Sequence, residues 1–152
     1  MVDITKLKQL RQETGISLAL CKKALEESAG DLKKAKTLLN KWGGEKVKDK
    51  MDRMTTQGGI FSYVHHNKKV ASLVELLSET DFVANNADFQ KLGQEIAMQV
   101  ASLPAKNADE LLKQEYIRDS SRIISDLVKE AVLKFGENIK IGRFERWKLG
   151  DY

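Results

Sequence analysis

The side chains in this sequence that could do covalent or metal chemistry are few, and they are poorly spaced for it. His65 and His66 adjoin in IFSYVHHNKK. Neighbours on an extended strand point to opposite faces, so the pair is expected not to share one ion. The single cysteine, Cys21, falls on the apolar side of a short helical pattern beside Lys22 and Lys23. Those lysines favour a thiolate, but no His or Asn lies nearby to activate it, so a packed small side chain is the expected role. One cysteine makes neither an internal disulfide nor a thiolate zinc site. Gly58-Gly59 opens a strand-like run, with no GxxxxGK[ST] or GxGxxG pattern around it. No structural metal, no cofactor and no chemical catalysis are expected.

The remaining unusual feature is SETDFVANNADFQKL, residues 78–92. It places Phe82, a large apolar side chain, directly after an acid at what should be a solvent-facing corner. The ordinary role for such a residue is a staple that packs back on the core ahead of the next helix. Taken alone, composition and periodicity leave that role and the function open.

The elements that must position this corner are legible from punctuation and period. In the first 42 residues three helical patterns occur. Ile4, Leu7, Leu10 and Arg11 share the first face, and Thr14-Gly15 stops it. Ser17 caps a second helix, lined by Leu18, Cys21, Ala24 and Leu25 and ended by Gly30. Asp31 caps a third, with Leu32, Ala35, Leu38, Leu39 and Trp42 turned inward. Helices this short are marginal alone, so their stripes must bury one another in a three-helix bundle of the ubiquitin-associated (UBA-like) type. Gly43-Gly44 is expected to end it.

After Gly58-Gly59 the period becomes two, and IFSYVHH and KVASLVELLSE form a hairpin about HNKK. Ile60, Ser62 and Val64 should face one way, and Phe61, Tyr63 and His65 the other. Asn86 should cap a helix over residues 87–102, buried through Phe89, Leu92, Ile96 and Val100. A long helix is expected over about 121–135, on Ile123, Ile124, Leu127, Val128, Ala131, Val132 and Phe135. ENIKIGRFERWKLGD then reads as a strand with Ile139, Ile141, Arg143 and Glu145 on one side. The expected fold class is α+β: a UBA-like domain at residues 1–43, a linker or helix at 44–57, and a core domain at 58–152. That core has three antiparallel strands with helices on one face, and an open sheet edge suited to a partner.

The chain has 152 residues, 32% of them charged, with 26 bases against 22 acids for a formal charge of +4. Interspersed charge of this kind suits an acidic protein surface at least as well as nucleic acid, whose binders usually carry a denser basic face. The run EKVKDKMDR, residues 45–53, is broken by Asp49 and Asp52 and reads as a solvated face. No 18-residue apolar run suggests a membrane span, and the start MVDITKLKQLRQETG lacks a signal or transit pattern, so a cytoplasmic protein without membrane contact is expected.

Three ordered motifs resemble one family. TGISLALCKKALEESAGDLKKAKTLL (residues 14–39) is similar to the first domain of elongation factor Ts, ETDFVANNADFQ (79–90) to that family's most recognisable motif, and GENIKIGRFERW (136–147) to its closing strand. The resemblance covers nearly the whole chain. It implies a guanine-nucleotide exchange factor for elongation factor Tu, with no direct nucleic-acid contact. In the family the TDFV turn is pushed into the GTPase domain and disturbs its Mg²⁺ site. Carried over, Phe82 is the wedge, Asp81 the adjoining acid, and Thr80 and Val83 shape the turn, while Leu18 and Ala19 of the first domain dock elsewhere on the GTPase domain.

The chain departs from the family's pattern at several points. Leu20 stands where an acid usually precedes CKK, Lys68 replaces the usual Gly of the hairpin turn, and Glu115 and Ser120 occupy frequent proline positions. A second core subdomain of long members is absent. Short members pair two chains, which implies a homodimer here. Two other readings use part of the same residues: a ribosome- or RNA-associated adaptor resting on the basic charge, and a UBA-type peptide binder resting on the first three helices. Neither accounts for TDFVANNADF.

Overall fold

The computed structural model describes residues 1–151. The chain divides into two compact units, one of residues 1–52 with 129–137, the other of residues 53–128 with the described residues from 138 on. Sequence order alone does not reveal that 129–137 belong with the N-terminal unit.

In that unit α1 (Ile4–Thr14), α2 (Leu18–Glu27) and α3 (Leu32–Lys50) form a three-helix bundle. Each helix begins where a side-chain oxygen satisfies an otherwise unpaired N–H: Asp3 accepts from Thr5 N, Ser17 from Leu20 N and Asp31 from Lys34 N. Gly15 ends α1 at φ 68°, its N–H bonded to Arg11 O. Leu10, Ile16, Cys21, Ala24, Leu25, Ala35 and Leu39 are the core, with Leu7, Trp42 and Leu133 packed against it. Ile4 is exposed and lies outside the expected stripe.

The stop expected at Gly43-Gly44 does not occur, since α3 runs on to Lys50. Gly43 is buried against residue 129, where a Cβ would lie 2.9 Å from both Lys129 Cβ and Lys129 O. The glycine therefore permits close helix approach, and its helical neighbours on both sides outweigh its low propensity.

The second unit contains β1 (Gln57–Val64), β2 (Val70–Ser78), α4 (Asp81–Ala84), α5 (Ala87–Ser102), α6 (Ala108–Lys113), β3 (Glu115–Tyr116) and β4 (Asp119–Ile123). It also takes in the start of α7 (Ile124–Phe135) and β5 (Lys140–Lys148). The mixed helix and sheet content is α+β, as expected. β1, β2 and β5 make an antiparallel sheet with β2 in the centre. α5 covers one face, burying Phe89, Ile96, Ala97 and Val100 near Phe61, Val74 and Leu76. Ser72 Oγ donates to Ala97 O at 2.5 Å, and Arg146 Nε to Ala101 O at 3.1 Å, tying helix to sheet.

The alternation expected for β5 breaks. Val74 pairs with Phe144 but Leu76 pairs with Ile141, so a bulge opposite Glu75 admits one extra residue. Ile141 remains buried, while Arg143 and Glu145 turn to the opposite face, where Arg143 Nε bonds Glu75 Oε1 at 3.0 Å. That face is uncovered and exposes Ile60, Val64, Leu73 and Trp147.

The helix expected from residue 121 starts at Ile124, and residues 115–123 instead form the β3–β4 hairpin. Side-chain bonds, one set from α5 and one local, hold the hairpin instead. The wholly buried Gln99 amide donates to Glu115 O and accepts from Ile117 N, and Asp119 accepts from Ser121 N and Oγ. Tyr116 OH and Arg118 Nε both donate to Glu95 Oε2 at 2.6 Å. Burial first, and this bond second, push the Tyr116 phenol up to about 12.

Candidate functional site

The corner at Phe82 begins where β2 ends. Ser72, Val74, Leu76 and Ser78 alternate onto the buried face of that strand, so Ser78 enters the corner from inside. Thr80 has extended backbone, φ −120° and ψ 154°, and its hydroxyl accepts from Val83 N at 3.2 Å. This cap starts α4, a single turn of four residues, with Asp81 placed favourably at its N-terminus. Val83 and Ala84 are buried, while Phe82 between them and the cap is 85% exposed. Phe82 is therefore not a staple; the core anchors the turn through its neighbours and leaves the ring in solvent.

A single helical turn is unstable alone, and further bonds hold this one. Ser78 Oγ donates to Thr80 O at 2.9 Å, and Gln90 Nε2 donates to Ala84 O at 2.9 Å. Glu79 accepts from Asn138 N at 3.0 Å and lies 3.6 Å from Arg53 Nη1, while Asn138 Nδ2 donates to Arg53 O at 2.8 Å. Asn86 caps α5 by accepting from Asp88 N at 2.8 Å. These bonds fix where the Phe82 ring is presented.

The same geometry sorts the residues singled out from the sequence. Phe82 and Asp81 face solvent, Thr80 caps, and Val83 anchors. Leu18 and Ala19 open α2 immediately after its Ser17 cap and are both exposed, in the helical unit. Ser78, Glu79, Gln90 and Asn138 were not singled out. The signal for Ser78 was its parity with Val74 and Leu76; Asn138, which is distant in sequence, carried none.

One expectation about the reactive side chains changes. β1 ends at Val64, so His65 and His66 sit in the turn, and their rings approach to 4.2 Å between centroids instead of pointing to opposite faces. Tyr63 OH lies 3.0 Å from His65 Nδ1. Among the described residues no group of three or more His, Cys, Asp or Glu is arranged to hold a metal ion. Cys21 is buried, with its Sγ donating to Ile16 O at 3.6 Å, and desolvation pushes its thiol above the usual range. Among the described residues no helix is long and apolar enough to cross a membrane.

A family model described as Elongation factor TS matches residues 79–152, beginning at the corner itself. Over the whole chain, the Elongation factor Ts of Leptospira biflexa serovar Patoc (strain Patoc 1 / Ames) is 38% identical, with 98% of each protein covered. The Elongation factor Ts of Coprothermobacter proteolyticus is 37% identical, with 99% of each covered. That of Aquifex aeolicus is 38% identical across 99% of this chain but only 54% of its own length. The Leptospira alignment spans 194 residues against 152 in this chain, so at least 42 aligned positions have no counterpart here. Near-complete coverage at both ends places most of those missing positions inside the chain.

Proposed function

This chain belongs to the elongation factor Ts family of translation elongation factors, and from that premise we propose that it promotes release of guanine nucleotide from elongation factor Tu by inserting Phe82 into the GTPase domain. The observation that carries this reading is the exposed ring on a turn whose Val83 and Ala84 are buried. A side chain kept in solvent by an anchored turn is available to enter another protein's pocket.

Burying an exposed Phe side chain contributes about 1.5–3 kcal/mol. Spent on moving helices beside the partner's Mg²⁺ site, that energy weakens nucleotide binding without any covalent step, since the ion offsets much of the phosphate charge. By linkage, bound nucleotide weakens the factor's own binding to the same degree. The factor thus speeds equilibration in both directions, and the nucleotide pool sets the outcome. Leu18 and Ala19, exposed at the start of α2, supply a second contact on the same partner.

We further propose that two copies pair in the active species. The uncovered sheet face supports this reading: Val64 pairs with Ala71 and Ala71 with Trp147, so the exposed apolar residues of three strands lie side by side. Leu73→Glu on that face is expected to shift the sedimentation of the protein to a monomer. An unchanged sedimentation coefficient would remove the homodimer from the proposal.

The test of exchange is release of a fluorescent GDP from elongation factor Tu at matched free Mg²⁺. The intact protein should accelerate release. Phe82→Ala should lower that acceleration about ten- to hundredfold, the rate equivalent of the burial energy. Its thermal unfolding should not change, because the ring is exposed. If the intact protein does not accelerate release, the exchange reading is wrong.

A further inference from the structure

We infer that Gln90 is a positioning residue for the wedge: it acts on the partner only through the orientation of Phe82. This deepens the exchange reading above and rests on it. Gln90 lies on α5, one turn beyond the Asn86 cap, and its side chain turns back to the corner. Nε2 donates to the carbonyl oxygen of Ala84, the last residue of α4, at 2.9 Å.

A one-turn helix has more carbonyls at its C-terminal end than it can satisfy internally. The Asp81 and Val83 carbonyls are taken by Asn85 N and Asn86 N. Ala84 O is left to Gln90, so this bond closes the C-terminal side of the turn as Thr80 closes the other. The bond also joins α4 to a sixteen-residue helix packed on the sheet, which a four-residue helix needs to hold a fixed direction. Phe82 lies between these two anchor points. Gln90 itself is exposed on α5, and its amide forms no part of the buried core.

The chemistry gives a sharp substitution. Gln90→Glu keeps the shape, but a carboxylate can only accept, so two acceptors would face each other at Ala84 O. The turn should then sample other orientations, and fewer of them direct the ring into a pocket. The loss of a neutral hydrogen bond of this type corresponds to about a two- to tenfold effect on a rate.

The experiment compares the intact protein, Gln90→Glu, Phe82→Ala and the double variant in fluorescent GDP release from elongation factor Tu. Alongside it, amide hydrogen exchange is measured at Asn85, whose N–H closes α4 onto Asp81 O. Gln90→Glu should lower stimulated release about two- to tenfold, with the melting temperature lowered by no more than about 1–6 °C, the cost of one hydrogen bond. Asn85 exchange should speed up in the free protein by a comparable factor. On the Phe82→Ala background the Gln90 substitution should have no further effect on release, because there is no ring left to orient. A Gln90→Glu protein with normal release and normal Asn85 protection would overturn the assignment. So would losses that multiply in the double variant, which would mean that Gln90 meets the partner directly. Failure of the intact protein to stimulate release, with Asn85 protection still dependent on Gln90, would leave Gln90 as a brace and overturn the exchange role instead.

Discussion

Gly93→Ala should destabilise the protein, although on an exposed helix the same change would stabilise it. Gly93 is buried in the middle of α5, where it faces the ring of Phe61 on β1. A Cβ at this position would meet three ring atoms of Phe61 at well under 3.0 Å, closer than real carbon contacts come. The ring cannot yield like the end of a lysine. It is 4% exposed and packs against Phe89 with centroids 6.3 Å apart, so moving it displaces a second buried aromatic or parts α5 from the sheet. Overpacking of this kind costs about 1–3 kcal/mol, and the upper end applies to a rigid ring. Alanine's helix propensity returns about 1 kcal/mol. The net is a loss of about 1–2 kcal/mol, which lowers the melting temperature by roughly 2–8 °C. Urea unfolding followed by circular dichroism measures it, with Phe61→Leu as the partner variant. If the ring is the obstacle, the double variant should lose less than the two single losses combined, by about 1 kcal/mol. A Gly93→Ala protein as stable as the parent, or strict additivity with Phe61→Leu, would refute the packing argument.

At the hairpin turn, Lys68 adopts φ 62°, a conformation that costs a residue with a Cβ about 1–2 kcal/mol. Lys68→Gly should therefore raise stability by about 0.5–1 kcal/mol after glycine's greater unfolded-state freedom is subtracted, read as a higher urea midpoint with the same slope. On the open sheet face, the side-chain hydrogen bond from Arg143, followed by its backbone N–H, holds the Glu75 carboxyl below its ordinary 4.5. The stability this contributes is complete above pH 4.5 and is lost as pH falls through the depressed value. Arg143→Met should return the Glu75 titration, followed by NMR, toward the ordinary carboxylate range and flatten that part of the acid-side stability curve.

How much was legible in the sequence depended on how far each determining interaction reached. The starts of α2, α3 and α5 follow from Ser17, Asp31 and Asn86, because a cap acts within three residues of itself. Alternation on β1 follows from the pleat, which buries Phe61 and exposes Ile60 and Val64. The family resemblance, carried by the motif around Phe82, was legible for the same reason. What the corner does with its ring was not, because a staple and a presented side chain have the same local sequence. The difference lies in Val83 and Ala84 reaching the core while Phe82 does not.

Features that depend on partners distant in sequence became visible only in the fold. Gly43 reads as a stop until Lys129 is seen against it, and residues 121–123 read as the start of a helix until they are seen paired in the β3–β4 hairpin that Gln99 holds at Glu115 and Ile117. The β5 bulge is set by pairing with β2, and nothing in KIGRFERW announces it. At the site, the residue types at the corner and the Asn86 cap of α5 are readable along the chain, whereas the single turn of α4 that Thr80 caps is not. The direction in which Phe82 points is set by which backbone groups its neighbours bond: Ser78 and Gln90 stand within eight residues of it, but β2 and α5 must be packed before they reach Thr80 and Ala84, and Asn138 comes from across the fold.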